Sequence, residues 1–182
     1  MKITLTPLTS VLALRNETMK LRLLATDPDP LLLQIYRSYF SSFGFEVATA
    51  KEGLECVSLL RSFAPDALIL SLELTWGGAD GVLSIVRDEA QMTPIPVVVT
   101  VGESSHSKAA RYLVPPVVKL LEKPFRLRDL RAIVESALCA RAERLSERIT
   151  GYDTAPASQN AQAIPGSGSL TTHNHRGETR RV

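Results

Sequence analysis

Only two cysteines, Cys56 and Cys139, occur in 182 residues, with no C-x-x-C spacing and no histidine cluster beside them. A disulfide framework and a cysteine-histidine zinc site are thereby excluded, and two reduced thiols are expected. The three histidines do not converge: His106 stands alone, and His173 and His175 form only an H-x-H in a polar tail. No apolar run nears the roughly 20 residues that a membrane-spanning helix needs. Pro7, several threonines and Arg15 interrupt the stretch Leu5 to Leu14 that a secretory signal would keep apolar, so a cytoplasmic location is expected. Charge of neither sign is in surplus, since the net charge is +2. Arg180-Arg181 is too short a patch for nucleic acid, and neither nucleic acid nor membrane is expected as a partner. No glycine-rich phosphate loop follows the first apolar stretch, which makes a small-ligand or flavin binder the weakest of the functional readings.

What the chain does have is alternation. Apolar strands are read at Lys20 to Ala25, Phe45 to Thr49, Ala67 to Leu70, Ile95 to Val101 and Val117 to Leu121. Helical spacing follows each. The first helix is expected to start at Pro30 with Asp29 as its cap, to carry Leu32, Ile35, Tyr36, Tyr39, Phe40 and Phe43 on one face, and to stop at Gly44. The second runs from Lys51 to Phe63 with Leu54, Val57, Leu60 and Phe63 inward, and the third from Gly81 to Ala90 behind an Asp80 cap. A short fourth spans Ser104 to Leu113, and a last helix from near Leu127 continues to Ile149. Strand-helix alternation of this kind predicts a doubly wound α/β domain over residues 20–150, with right-handed crossovers. Residues 1–19 read as a weakly structured leader, and 151–182, poor in large apolar residues, as a disordered tail. Arg141, Arg144 and Arg148 alternate with Glu143 and Glu147 beyond what covers a small sheet; a solvated extension is favoured there over a homodimer helix.

In parallel sheets, chemistry gathers at the carboxyl ends of the strands. Those ends carry Asp27 and Asp29, Ser71, Thr100 and Lys123. TDPDP at 26–30, PDALILSLEL at 65–74, Asp80-Gly81, PVVVT at 96–100 and Lys123-Pro124-Phe125 together resemble the receiver domain of bacterial two-component response regulators, over about Leu21 to Leu138. The resemblance implies a flavodoxin-like five-stranded parallel sheet in the order 2-1-3-4-5. It implies further that Thr100 takes the hydroxyl position and Lys123 the lysine position of the family's phosphorylation site, with a Lys-Pro bond that in the family is usually cis. Asp27 matches one member of the acidic pair that holds Mg²⁺ there, and Pro28 stands in place of the other, so the metal site is expected to be weakened.

At the position where the family carries its phosphoryl-accepting aspartate stands Ser71, and at its aromatic-switch position Leu120. A serine hydroxyl is not a carboxylate at neutral pH, and no base beside it can be named. The expectation is therefore a degenerate, stand-alone receiver-like domain that is not an enzyme and serves as a phosphorylation-independent interaction module. Its partners would be a histidine kinase, a regulator or an output protein. Trp76, His106, Tyr112, Lys119 and Arg128 are candidate contacts. The alternative is a receiver phosphorylated at Ser71 or at Glu73, which in an extended strand lies on the same side about 7 Å further on. A solvent-facing Glu73 at the start of a loop is the favoured reading, and an anionic side chain facing Lys123 the other.

Overall fold

The computed structural model describes residues 20–88, 95–105 and 109–150; the leader, the tail and His106 lie outside the described residues. Five parallel strands form one sheet in the order β2-β1-β3-β4-β5: β1 (Arg22–Thr26), β2 (Glu46–Ala50), β3 (Ala67–Ser71), β4 (Val97–Val101) and β5 (Val117–Glu122). Every residue of β3 and β4 is buried, as expected for central strands covered on both faces. Alternate side chains serve the two faces. Leu68 and Leu70 of β3 join Val97 and Val99 of β4 against α2 (Gly53–Phe63) and α3 (Gly78–Asp88). Ile69 and Val98 pack on the other side with Tyr36 and Phe40 of α1 (Pro30–Ser42) and with Leu130, Val134 and Leu138 of α4 (Leu127–Thr150).

The start of α1 follows the expected chemistry. Proline opens it, and the Asp29 carboxylate accepts the Leu31 amide at 2.9 Å. Its buried face is Leu33, Tyr36 and Phe40, rotated from the expected one, so Ile35 and Phe43 are left exposed. The same correction applies to α2, where Cys56 and Leu60 point inward and Leu54 is exposed. Tyr36, Phe40 and Leu60 are buried as expected and Leu32, Tyr39 and Val57 pack partly buried against the core, so only the edges of the two faces differ. α3 starts three residues earlier than expected, which places Asp80 inside its first turn instead of at its cap. There its carboxylate accepts the Tyr112 hydroxyl at 2.9 Å and pairs with Arg111 at 3.3 Å.

Of the expected fourth helix, the described residues show a 3₁₀ turn at Glu103–Ser105, a helical Ala109 and a second 3₁₀ turn at Ala110–Tyr112, and residues 106–108 lie outside the described ones. The second turn is fastened by Asp80 and by Arg87, whose Nε donates to the Pro115 carbonyl at 3.3 Å. α4 runs the whole expected length. Beyond the sheet it is docked on its own domain, because Arg141 donates to the backbone and side-chain oxygens of Asp66, at 3.2 and 3.4 Å. Asp66 is itself buried and holds the Arg22 amide at 2.9 Å, so the helix is tied to the lower ends of β1 and β3.

Candidate functional site

The strand ends do converge. Asp27 leaves β1 almost wholly buried, its Oδ1 accepting the Asp29 amide at 3.0 Å and its Oδ2 accepting the Lys123 ammonium at 2.6 Å. The backbone of Lys123 is set by its amide donating to the Val101 carbonyl at 2.8 Å, and its bond to Pro124 is cis, as the resemblance implied. The Lys123 Nζ also donates to Ser71 Oγ at 3.4 Å and to Glu73 Oε2 at 2.9 Å. Ser71 Oγ in turn accepts the Glu73 amide at 3.3 Å. Thr100 lies opposite Ser71 in the β3–β4 register, fully buried, and its hydroxyl has no hydrogen-bond partner.

Glu73 corrects the favoured expectation of a solvent-facing side chain. Its carboxylate folds back over the site, onto Lys123 and against the backbone of Gly102, where any side chain at residue 102 would collide with it. The reason is electrostatic and steric together. One partly buried ammonium offers three donors, Asp27 uses one, and the glycine after β4 leaves an open path to another.

Two residues that the sequence reading passed over complete the arrangement. Gly102 is one, and a lone glycine directly after an apolar strand is the signal that could have marked it. Thr26 is the other: its hydroxyl donates to the Ile69 carbonyl at 3.0 Å and accepts the Ser71 amide at 3.3 Å, stitching β1 to β3 beneath the site.

The chemistry open to this group follows from its charges. Burial lowers the lysine pKa, but the hydrogen bonds from Asp27 and Glu73 outweigh it and hold Lys123 above its ordinary value. A lysine held protonated cannot take a proton from Ser71, so the Ser71–Lys123 contact is no activated nucleophile. Nor do the residues fit Mg²⁺. Both Asp27 oxygens are engaged, Asp29 caps α1, Pro28 has no donor side chain, and no cluster of three metal-binding side chains occurs among the described residues.

The remaining candidates sit at different distances from this centre. Trp76 is 72% exposed in the loop after β3, with a left-handed backbone (φ 45°) that is unusual for a bulky residue. Packing against α3 does not account for it. Its backbone is held by α2, since the Gly53 and Leu54 amides donate to the Thr75 and Trp76 carbonyls, each at 3.1 Å. Gly53 permits this approach, because a Cβ there would stand 2.8 Å from the Trp76 carbonyl oxygen. Gly53→Ala is therefore expected to cost about 1 kcal/mol through a forced backbone shift, read as a lower urea midpoint with altered Trp76 emission. Lys119 and Arg128 are exposed, whereas Tyr112 is buried against Asp80 and is withdrawn as a surface contact. Leu120 is partly buried and packs against the α2–α3 side of the core.

Known proteins place the fold and the site in one context. Transcriptional regulatory protein PrrA of Mycobacterium tuberculosis is 33% identical over 132 residues, covering 71% of this chain and 56% of that protein. The chain thus spans little more than half the length of the curated relatives it matches. Among solved structures, a response regulator receiver domain protein from Clostridium thermocellum has a TM-score of 0.60 at 20% identity, covering 69% of this chain and 98% of that one. A response regulator receiver protein from Sinorhizobium medicae has a TM-score of 0.57 at 25% identity, covering 67% and 97%. The five-stranded order, the convergent strand ends and a match of residues 23–135 to the response regulator receiver domain profile agree, and the chain belongs to that family, the receiver domains of two-component signalling.

Proposed function

We propose that this receiver domain has a degenerate phosphorylation site and acts as an interaction module in two-component signalling without phosphorylation of an aspartate. The observation that supports this reading is the engagement of Lys123. The cation that would neutralise an incoming phosphoryl group already holds Asp27 and Glu73, and the group nearest it on β3 is the hydroxyl of Ser71. Phosphoryl transfer to protein needs an ionised nucleophile and a hard cation to offset crowded negative charge. Ser71 is not ionised, and with Pro28 lacking a donor side chain and Asp29 capping α1, Asp27 is the one acid after β1 left to face a metal.

The partners proposed are a histidine kinase, a regulator or an output protein. Trp76, Lys119 and Arg128 are the contacts retained, because their side chains are available on the surface. Exposed tryptophan and arginine are the residue types that most often anchor protein interfaces.

Incubation with acetyl phosphate and Mg²⁺, followed by intact-mass measurement, tests the reading. The wild-type protein is expected to gain no phosphoryl mass. Ser71→Asp is expected to stay unmodified as well, because the second acid of the metal pair is missing at Pro28 and Asp29 is held as the α1 cap. A mass gain in wild type, mapped to Glu73 or Ser71, would replace this reading by that of an active receiver with an unusual acceptor. A gain in Ser71→Asp alone would mean that only the nucleophile had been missing.

A further inference from the structure

The Glu73 carboxylate rests on Gly102 and on Lys123, in the one place that residue 102 leaves open by having no side chain. Beside it lie the Ser71 hydroxyl and, across the register, the buried Thr100 hydroxyl with no partner of its own. A carboxylate is thus already received by a cation, with a backbone gap shaped to admit it. We propose that Glu73 is a tethered internal ligand admitted by Gly102, and that its departure opens the same seat to an external carboxylate. This inference deepens the reading above and rests on it only in that no covalent phosphoryl group fills the seat.

The seat is selective for reasons that can be named. Asp27 and Glu73 against Lys123 leave the group with one net negative charge, so a second anion cannot enter while Glu73 remains. When Glu73 leaves, Asp27 and Lys123 balance, and a singly charged carboxylate restores the present arrangement. Glu73 is also free to leave: its side chain is 27% exposed at the rim, whereas Asp27 is locked below at 1%. Of the two carboxylates on Lys123, only Glu73 can open without unmaking the strand end.

The test uses the reactivity of Lys123 toward an amine-selective acylating reagent, followed on its peptide by mass spectrometry, with exposed Lys119 as internal reference. Glu73→Ala removes a hydrogen bond that raises the lysine pKa, so more free amine is present at a given pH and labelling is expected to speed up several-fold. Gly102→Ala, with Glu73 intact but displaced, is expected to match it. The double variant should be no faster than either single one. Formate is expected to slow labelling in Glu73→Ala at millimolar concentration and to leave wild type unchanged.

Wild-type reactivity in Gly102→Ala, rates that multiply in the double variant, or indifference of Glu73→Ala to formate would each overturn the proposal. Should Gly102→Ala fail to fold, Glu73→Ala and Glu73→Gln with formate carry the test alone. Phosphoryl mass on the same samples separates failure of the functional reading from failure of this one.

Discussion

Replacing Lys123 with methionine is expected to lower stability by about 3 kcal/mol, the lower end of what breaking a buried ion pair costs. The side chain it replaces is of similar length, so the loss is electrostatic more than steric. Asp27 is 1% exposed and would keep a desolvated charge whose remaining donor among the described residues is the Asp29 amide. Glu73 would then face Asp27 with no cation between them. The pair itself need not be a net gain over apolar residues, since burying two charges is costly; the expected loss comes from orphaning one of them. Asp27→Asn/Lys123→Met should therefore recover most of the stability that Lys123→Met loses. Urea unfolding of the four proteins in that cycle measures this directly. A cost below about 1 kcal/mol for Lys123→Met, with no recovery in the double variant, would show that Asp27 does not depend on the lysine.

The same pair explains how far the sequence could be read. The Asp29-Pro30 helix start and the meeting of Asp27, Ser71, Thr100 and Lys123 were legible from local pattern and from the rule that parallel strands present their ends together, and the strand order from the family resemblance. The direction of Glu73 was not. An alternating strand predicts which side a residue leaves, but the choice between water and Lys123 depends on a gap at Gly102, in a different strand-loop unit. Leu54, Ile35 and Phe43 were misplaced for a related reason: both helices are rich in apolar residues on adjoining stripes, and only packing on the sheet selects one. The 3₁₀ turn at Ala110–Tyr112 was not legible either, because Asp80, which holds the Tyr112 hydroxyl, lies on another helix.

Stability is expected to fall on the alkaline side, beginning near pH 9, with Cys56 as the first cause. Its thiol is fully buried under α2, and burial, helped by the nearby Glu55 carboxylate, pushes its pKa from 9.0 up to about 12. In the unfolded chain the thiol releases its proton near pH 9.0, while the folded protein holds it to about pH 12. Below pH 9 both states are protonated and the term is constant. Above it the unfolded state alone gains by ionising, so the folded state loses about 1.4 kcal/mol per pH unit until its own thiol titrates. Lys123 and Tyr36 act in the same direction, since both are raised: Lys123 by the hydrogen bonds that outweigh its burial, Tyr36 by burial and then by Asp27 and Asp29. Their contributions enter only above the ordinary lysine and tyrosine values of 10.5 and 10.0, so the onset belongs to the thiols: Cys56, and in the same direction the less buried Cys139, raised by burial and then by Glu143 and Glu135. Between pH 7.5 and 10.5 Cys56 alone should remove about 2 kcal/mol. Cys56→Ala, whatever it costs at neutral pH, should lose that much less across the interval. Equal losses in the two proteins, measured by urea unfolding at both pH values, would mean that the thiol is not shielded. Partly buried Cys139 supplies the internal comparison, reacting with a thiol reagent in the native protein under conditions where Cys56 reacts only after unfolding.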